Sequence, residues 1–426
     1  MLFTLPQLAH TLTFYEPWSH TLRTVDVVHL VVLCVSYVEN LKTPKGLKSS
    51  PHGGMMSSDR RIWLWIVLPV LLASLTVSHG ALLGFRQAVP GYKLTFPADH
   101  AAHPDYRTEW WYYTGHLRTP TGKRYGYQLT FFRHRVDSDG PALNPSKWFA
   151  DNIYLAHMAI TDETAQRFVY GEKLNRAALG LAGAAEQRYH VWNEDWLAER
   201  LGTVQHLVGE IPGYKLNLIV TPLKSPVLHG AAQDGLSQKG EGKGHASYYY
   251  SWTRLKTEGV LHTSDGVVEV EGLSWMDHEF GSTQLTESQV GWDWFSVQLA
   301  NTYEIMLYHI RHKDGSIDPH SSGTLIRPDG TSVHLRRDDV QVQSHTQWQS
   351  PKSGAVYPQR WTLRIPTVDL ILHLEPVLAE QELVTDNSTR VTYWEGSVTV
   401  SGSMQGQAMD GVGYVELTGY VQRVNL

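Results

Sequence analysis

The 426-residue chain is expected to be all-β, built as two barrels in tandem. Two observations lead there. Apolar and polar residues alternate with a period of two in one short stretch after another, separated by Gly, Pro, Asn and Asp turn signals at the close spacing of sandwiches and barrels. No βα alternation of the kind a parallel sheet requires is visible. The 15 Trp and 21 Tyr suit a packed β core, and they suit equally the walls of a cavity for an apolar or ring-bearing ligand. A formal net charge of -6 gives no basic footprint for nucleic acid.

In chain order, residues 1–54 read as a mis-assigned N-terminal extension that holds the one cysteine, Cys34. Residues 55–80 read as a signal peptide: Arg60-Arg61 is the basic head, Ile62 to Val77 an uncharged apolar run, and Ser78-His79-Gly80-Ala81 the small-residue cleavage site. A periplasmic or secreted protein is therefore expected. The alternative is an uncleaved anchor over Ile62 to Phe85, the one route by which this chain would associate with a membrane. A mature chain from about Ala81 has no cysteine, hence neither disulfide nor thiol chemistry. The expected division of the rest is an N-terminal domain over 81–283 and a C-terminal domain over 284–426.

The first strand is the densest stretch of the chain, Glu109-Trp110-Trp111-Tyr112-Tyr113-Thr114-Gly115-His116-Leu117. A period of two puts Glu109, Trp111, Tyr113 and Leu117 on one face and Trp110, Tyr112, Thr114 and His116 on the other, so both faces should be covered or line a cavity. The turn at Thr119-Pro120-Thr121-Gly122 then sends the chain back through Tyr125 to His134 as a hairpin. Asn152 to Thr161 is a further strand, Leu174 to Leu201 a short helix or lid, and Tyr214 to Thr221 and Ser247 to Arg254 strands around a mobile Gly230–Gly244 loop. The second dense stretch is Gly272-Leu273-Ser274-Trp275-Met276-Asp277-His278-Glu279-Phe280-Gly281, leading into Gly291-Trp292-Asp293-Trp294. Strands follow at Tyr303 to His312, Gly323 to Arg327, Trp361 to Ile365, Leu370 to Leu374, Tyr393 to Ser401 and Gly413 to Val421.

Serine-hydrolase elbows, phosphate loops, zinc-protease helices and paired cysteines are all missing from the sequence. On a strand, Trp275, Asp277 and Glu279 share a face while Met276, His278 and Phe280 share the other. A carboxyl among tryptophans has its pKa raised and can stay protonated as a general acid; the alternative is that Asp277 only accepts backbone hydrogen bonds at a turn. Asp99, His100, His103 and Glu109 have metal-ligand chemistry, but irregular spacing defines no site, and neither metal nor cofactor is expected. His157, among apolar neighbours, reads as a core histidine.

The two dense motifs, in this order, resemble the lipocalin-like family of carotenoid 1,2-hydratase (hydroxyneurosporene synthase), which includes many proteins labelled predicted secreted hydrolases. The resemblance covers about residues 90–426. It implies two tandem lipocalin-like antiparallel β-barrel domains, a hydrophobic ligand and, for the named hydratases, addition of water to an isolated C=C bond. The leading reading is an exported protein that binds an isoprenoid- or lipid-like molecule and hydrates or hydrolyses it. Asp277 would be the acid, with His116 and Glu109 in the catalytic group. Trp110, Trp111, Tyr112, Tyr113, Trp275, His278, Trp292 and Trp294 would bind ligand, and Trp275, Trp292 or Trp294 would face the cation formed on protonation. The alternative is a non-catalytic carrier serving an envelope transporter of the ABC type.

Overall fold

The structure, a computed structural model, describes residues 84–136 and 151–424. The expected extension over 1–54, with Cys34, and the signal peptide over 55–80 lie outside the described residues.

The described residues form 23 strands and no α-helix, as the period-two patterning requires. The first sheet comprises β1 (Thr108–Arg118), β2 (Arg124–Arg135), β3 (Asn152–Asp162), β4 (Arg167–Arg176), β5 (Ala182–Ala184), β6 (His190–Asn193) and β7 (Trp196–Leu201). It continues with β8 (Val204–Ile211), β9 (Tyr214–Pro222), β10 (Val227–Leu228), β11 (Leu236–Gln238), β12 (Ala246–Thr263) and β13 (Gly266–Gly281). Its order is β4-β3-β2-β1-β13-β12-β9-β8-β7-β6-β5, with β10 and β11 paired to β12. The sheet curls on itself: Trp111, Leu129 and Met158 from one half pack in the same core as Val191, Leu207 and Leu216 from the other.

The second sheet comprises β14 (Gln289–Leu299), β15 (Glu304–His312), β16 (Ser322–Ile326), β17 (Ser332–Arg336) and β18 (Gln341–Gln349). Then come β19 (Val356–Ile365), β20 (Leu370–Pro376), β21 (Glu382–Val384), β22 (Thr392–Met404) and β23 (Gln407–Leu417). The order is β17-β16-β15-β14-β23-β22-β20-β19-β18, with β21 on β22. Leu325 and Leu335 meet Tyr357, Leu363 and Trp394 in its core, so this sheet curls as well. Together they are two tandem lipocalin-like antiparallel barrels.

Two expectations are corrected, and one alternative is set aside. Leu174 to Leu201 is neither helix nor lid: it supplies the end of β4 and all of β5, β6 and β7. Its alanines and glutamates suit a helix, but Tyr189, Val191, Trp196 and Ala198 are drawn into the barrel core, and tertiary packing overrides local propensity. Gly230–Gly244 is likewise not a free loop, because β11 pairs with β12 and Ser237, Lys239 and Gly240 are buried. Asp277 sits in mid-strand on β13, opposite Tyr112 of β1 and Ser251 of β12, not at a turn.

The two dense motifs are adjacent antiparallel strands, β1 against β13. Gly115 of β1 has no room for a side chain: a β-carbon there would stand 2.4 Å from Tyr127 of β2 and 2.6 Å from the Ser274 hydroxyl of β13. The outer faces of the two barrels close a third apolar cluster. Tyr112, Tyr249 and Trp275 of the first barrel pack there on Trp294, Tyr308 and Tyr414 of the second. Direct hydrogen bonds fix the junction. Trp294 Nε1 donates to the Tyr249 hydroxyl at 3.1 Å, and Gln298 Nε2 donates to the Thr253 carbonyl at 2.7 Å and the Ser274 carbonyl at 3.0 Å.

Candidate active site between the barrels

Alternation on β1 and β13 sends Trp110, Tyr112, Asp277 and Glu279 outward from the first barrel. They meet Trp292 and Trp294 of β14, Tyr308 of β15 and Glu416 of β23 around a cavity of about 90 Å³. One water needs roughly 10–15 Å³ on the same measure, so the space exceeds a solvation pocket. A second cavity of about 290 Å³ adjoins it, sharing Trp110, Phe132, Trp292 and Glu416 as a common wall. Its sides are mostly apolar, including Ile153, Leu155 and Val391.

Asp277 is 4 % exposed. The Tyr249 hydroxyl and Trp275 Nε1 each donate to it at 2.7 Å, and the Ser251 hydroxyl donates as well. Burial nevertheless outweighs these three donors, which favour the ionised form, and with help from the Glu279 charge it pushes the Asp277 pKa up to about 7. Two more carboxyls enter from the second barrel. Burial also raises Glu416 to about 7, against the hydrogen bond from Trp292 Nε1 at 2.7 Å and with the Asp277 charge adding to the rise. Glu395, on β22, accepts from the Tyr112 hydroxyl at 2.7 Å; burial and then the Glu416 charge raise it well above the usual range. Its second oxygen has no partner among the described residues. Asp277 and Glu416 line one cavity, with Glu395 behind Tyr112, and carboxyls this close in a water-poor space oppose one another's ionisation.

The other face of the same strands is different. Glu109 is fully buried and accepts from Arg133 Nε at 3.1 Å, while His103 Nδ1 and His278 Nε2 approach it at 2.8 and 2.9 Å. Burial alone would raise its pKa, but His103, His278 and Arg133 together hold it far below the usual carboxylate range. His103 also contacts Asp99 at 3.1 Å; burial would lower its pKa, but Asp99 and Glu109 prevail and raise it. The His103, Glu109 and His278 ligand atoms lie within 4.8 Å of one another, which is metal-site spacing. Arg133 argues otherwise, since a guanidinium already supplies the positive charge Glu109 requires. This is a paired charge network under the strand.

The catalytic group read from the sequence is therefore not brought together. Asp277 faces the cavity; Glu109 belongs to the network behind β1, with Arg133 and the two histidines on it. His116 contacts the Gly413 carbonyl at 3.1 Å and Ser397 at 3.3 Å, pinning one barrel to the other, and burial lowers its pKa to about 4. Among the residues expected to bind ligand, Trp110, Tyr112, Trp292 and Trp294 line the cavity. Trp275 stands behind Asp277 as a donor. Trp111 and Tyr113 lie in the first-barrel core, and His278 in the Glu109 network. Sequence reasoning missed Glu395, Glu416, Tyr249 and Lys239. The signal for the first two was present: each glutamate stands next to core residues in its strand, Trp394 and Val415, so period two aims it out of the barrel. His157 is buried between Tyr393 and Ser388, each at 2.8 Å, and also lines the second cavity.

Fold and site define a class: a two-barrel, lipocalin-like protein with an acidic, aromatic-walled cavity between its barrels. The model of the AttH-like family matches residues 87–420, and the chain belongs to that family. A solved structure designated AttH, from Nitrosomonas europaea, is 34% identical, with a TM-score of 0.71 over 79% of this chain and 100% of that one. Kievitone hydratase from Nectria haematococca shares the fold at 14% identity and a TM-score of 0.61, over 79% and 96% of the respective chains. In sequence, the dehydratase asqC of Emericella nidulans is 22% identical over 222 residues, and kievitone hydratase of Fusarium solani subsp. phaseoli 25% over 179. These matches cover 50% and 40% of this chain, and 61% and 49% of the two relatives' own lengths. The hydratase-family resemblance of the two aromatic motifs thus holds at the level of family.

Proposed function

We propose that this chain is a hydratase or dehydratase for an apolar small molecule bound between the barrels, with Asp277 as the proton donor to carbon. The observation that carries this is Asp277 itself: buried in the cavity wall and gripped by three donors, with burial pushing its pKa up to about 7. A hydratase and a dehydratase among the relatives support the same reaction run in its two directions. In hydration, the Asp277 proton and the π pair of the double bond form a new C–H bond. Water oxygen bonds to the neighbouring carbon and gives up a proton to a carboxylate of the cavity. Tyr249, Trp275 and Ser251 fix the orientation of the acid, and the indoles of Trp110, Trp292 and Trp294 exclude bulk water.

The test is to extract the compound that co-purifies with the native protein and to incubate it with enzyme in ¹⁸O-water. Label should enter with the wild type and not with Asp277→Asn, while both bind the compound. Binding with no label from either would instead favour a carrier, the role compatible with an envelope transporter. Export is a separate inference, supported by the pattern of residues 55–80 alone; cell fractionation tests it, and a cytoplasmic location would contradict it.

A further inference from the structure

The cavity also holds an ammonium group. Lys239 directly follows β11, and its backbone is held on both sides: its N–H donates to the His245 carbonyl and its carbonyl accepts from Gln289 Nε2 at 2.8 Å. The side chain is 9 % exposed and lines the same cavity as Asp277. Its nitrogen stands 3.2 Å from the Glu279 carboxylate, 4.0 Å from the centre of the Tyr308 ring and 4.9 Å from that of Tyr249. The ring faces stabilise the charge but fill no N–H in line. An ammonium carries three donors, and among the described residues Glu279 is the one oxygen partner this one has. Glu279 is itself partly occupied by the Ser247 hydroxyl, at 2.5 Å. Burying a charged group with donors to spare is costly unless something that enters the cavity fills them.

We propose that Lys239 is the oxygen-binding residue of the site, and that its ligands are apolar molecules whose reacting carbon–carbon bond is conjugated to a carbonyl oxygen held by the Lys239 ammonium. The choice of reacting bond rests on the hydratase or dehydratase reading; the oxygen contact does not. A neutral carbonyl suits the site better than an anionic headgroup, because Asp277, Glu279 and Glu416 share the space. The ammonium also selects a route, since positive charge beside the acid opposes a carbocation and favours charge that develops on oxygen.

The electrons balance. Water oxygen bonds to the β-carbon and its proton goes to the Glu416 carboxylate. The C=C pair moves to form the enolate, whose negative oxygen lies at Lys239. The enolate α-carbon then takes the Asp277 proton and the carbonyl re-forms. One proton gained by Glu416 matches one lost by Asp277.

The experiment uses benzylideneacetone, an apolar enone whose ultraviolet band moves to longer wavelength when a cation binds its oxygen, and butylbenzene, which lacks the oxygen. With the wild type, the band of benzylideneacetone should shift on binding, and the enone should bind at least about 10-fold more tightly than butylbenzene, the worth of one charge-assisted hydrogen bond. The double variant Lys239→Met, Glu279→Gln removes the ion pair together and leaves no orphan charge. It should lose both the shift and the preference while still binding butylbenzene; Lys239→Met alone serves if the double variant does not fold. Lys239→Arg keeps a cation and should keep a shift. A shift that persists without the lysine, a wild type that shows none, a loss shared equally by Lys239→Arg, or folded wild type that binds neither compound would each overturn the proposal. The band reports a bound oxygen and not turnover, so this result and the Asp277→Asn result can fail independently.

Discussion

Asp277 and His278 are neighbours in one strand, yet they serve two opposite electrostatic regimes. Behind β1 and β13, Glu109 is matched charge for charge by Arg133 and His103 and closed off by His278, and its pKa is depressed. In front, Asp277 has three hydrogen-bond donors but no cation bonded to it, and its pKa is raised. The three neutral donors to Asp277 do not repay the desolvation of its carboxylate, whereas at Glu109 the partners do, His103 first, then His278 and Arg133. In the proposed function, the difference separates a structural carboxylate, which must stay charged, from the proposed proton donor, which must be able to gain and lose its proton.

The contrast can be broken most forcefully at Asp277. Asp277→Asn should lower turnover by roughly 100- to 10,000-fold, the range for removing a general acid. Its unfolding free energy should be unchanged or higher, because a neutral amide avoids the desolvation cost. Equal losses of activity and stability would make Asp277 structural like Glu109.

Glu109→Gln should do the reverse, costing about 3–5 kcal/mol by leaving Arg133 buried without its charge partner, as read by denaturant unfolding. The pH dependence has a definite sign. The depressed Glu109 pKa supplies stability at pH above its ordinary 4.5, lost as pH falls from there towards the folded value. The raised His103 pKa supplies stability below its ordinary 6.5, lost as pH climbs through the folded value. Maximum stability should therefore lie between these limits, and Glu109→Gln should flatten the acid side.

A substitution that serves neither face gives an intermediate effect. Gly115→Ala should destabilise by about 1–3 kcal/mol, the usual cost of overpacking, since its β-carbon meets Tyr127 and Ser274. It should leave the pH profile of activity where it was.

The smallest expected effect sharpens the comparison from inside the cavity. Hydration that needs protonated Asp277 should lose rate as pH rises through about 7. Tyr249→Phe removes a hydrogen bond that favours the carboxylate, so this limb should move to higher pH, by up to about one unit for a bond worth about 1 kcal/mol. A move to lower pH would mean that another group sets the limb.

Much of this arrangement was legible before any fold was known. Period two on Glu109–Leu117 and Trp275–Phe280 separates the faces that the structure separates, and a raised pKa at Asp277 was expected from an apolar wall, with burial as its cause in the structure. What was not legible depends on contacts distant in sequence. Glu395 and Glu416 lie more than 100 residues beyond Asp277; β22 and β23 present their outer faces to the first barrel, which brings Glu416 into the cavity with Asp277 and Glu395 onto the Tyr112 hydroxyl. Arg133 turns Glu109 from a catalytic candidate into a salt-bridge partner, and that pairing appears only when β2 is laid against β1. Lys239 sits in a Gly-, Gln- and Lys-rich stretch whose composition reads as solvent-exposed; pairing of β11 with β12 buries it. The alanines of β5 and β7 read as helical for the same reason, because local propensity carries no record of the barrel that recruits them.

The most direct measurement is a carbon-13 NMR titration of the carboxyl groups, with Asp277 and Glu109 assigned through Asp277→Asn and Glu109→Gln and followed in one sample. The account predicts that Asp277 titrates near 7 while Glu109 remains ionised well below 4.5. Asp277 titrating near its ordinary 3.8, or the two carboxyls titrating together, would contradict it.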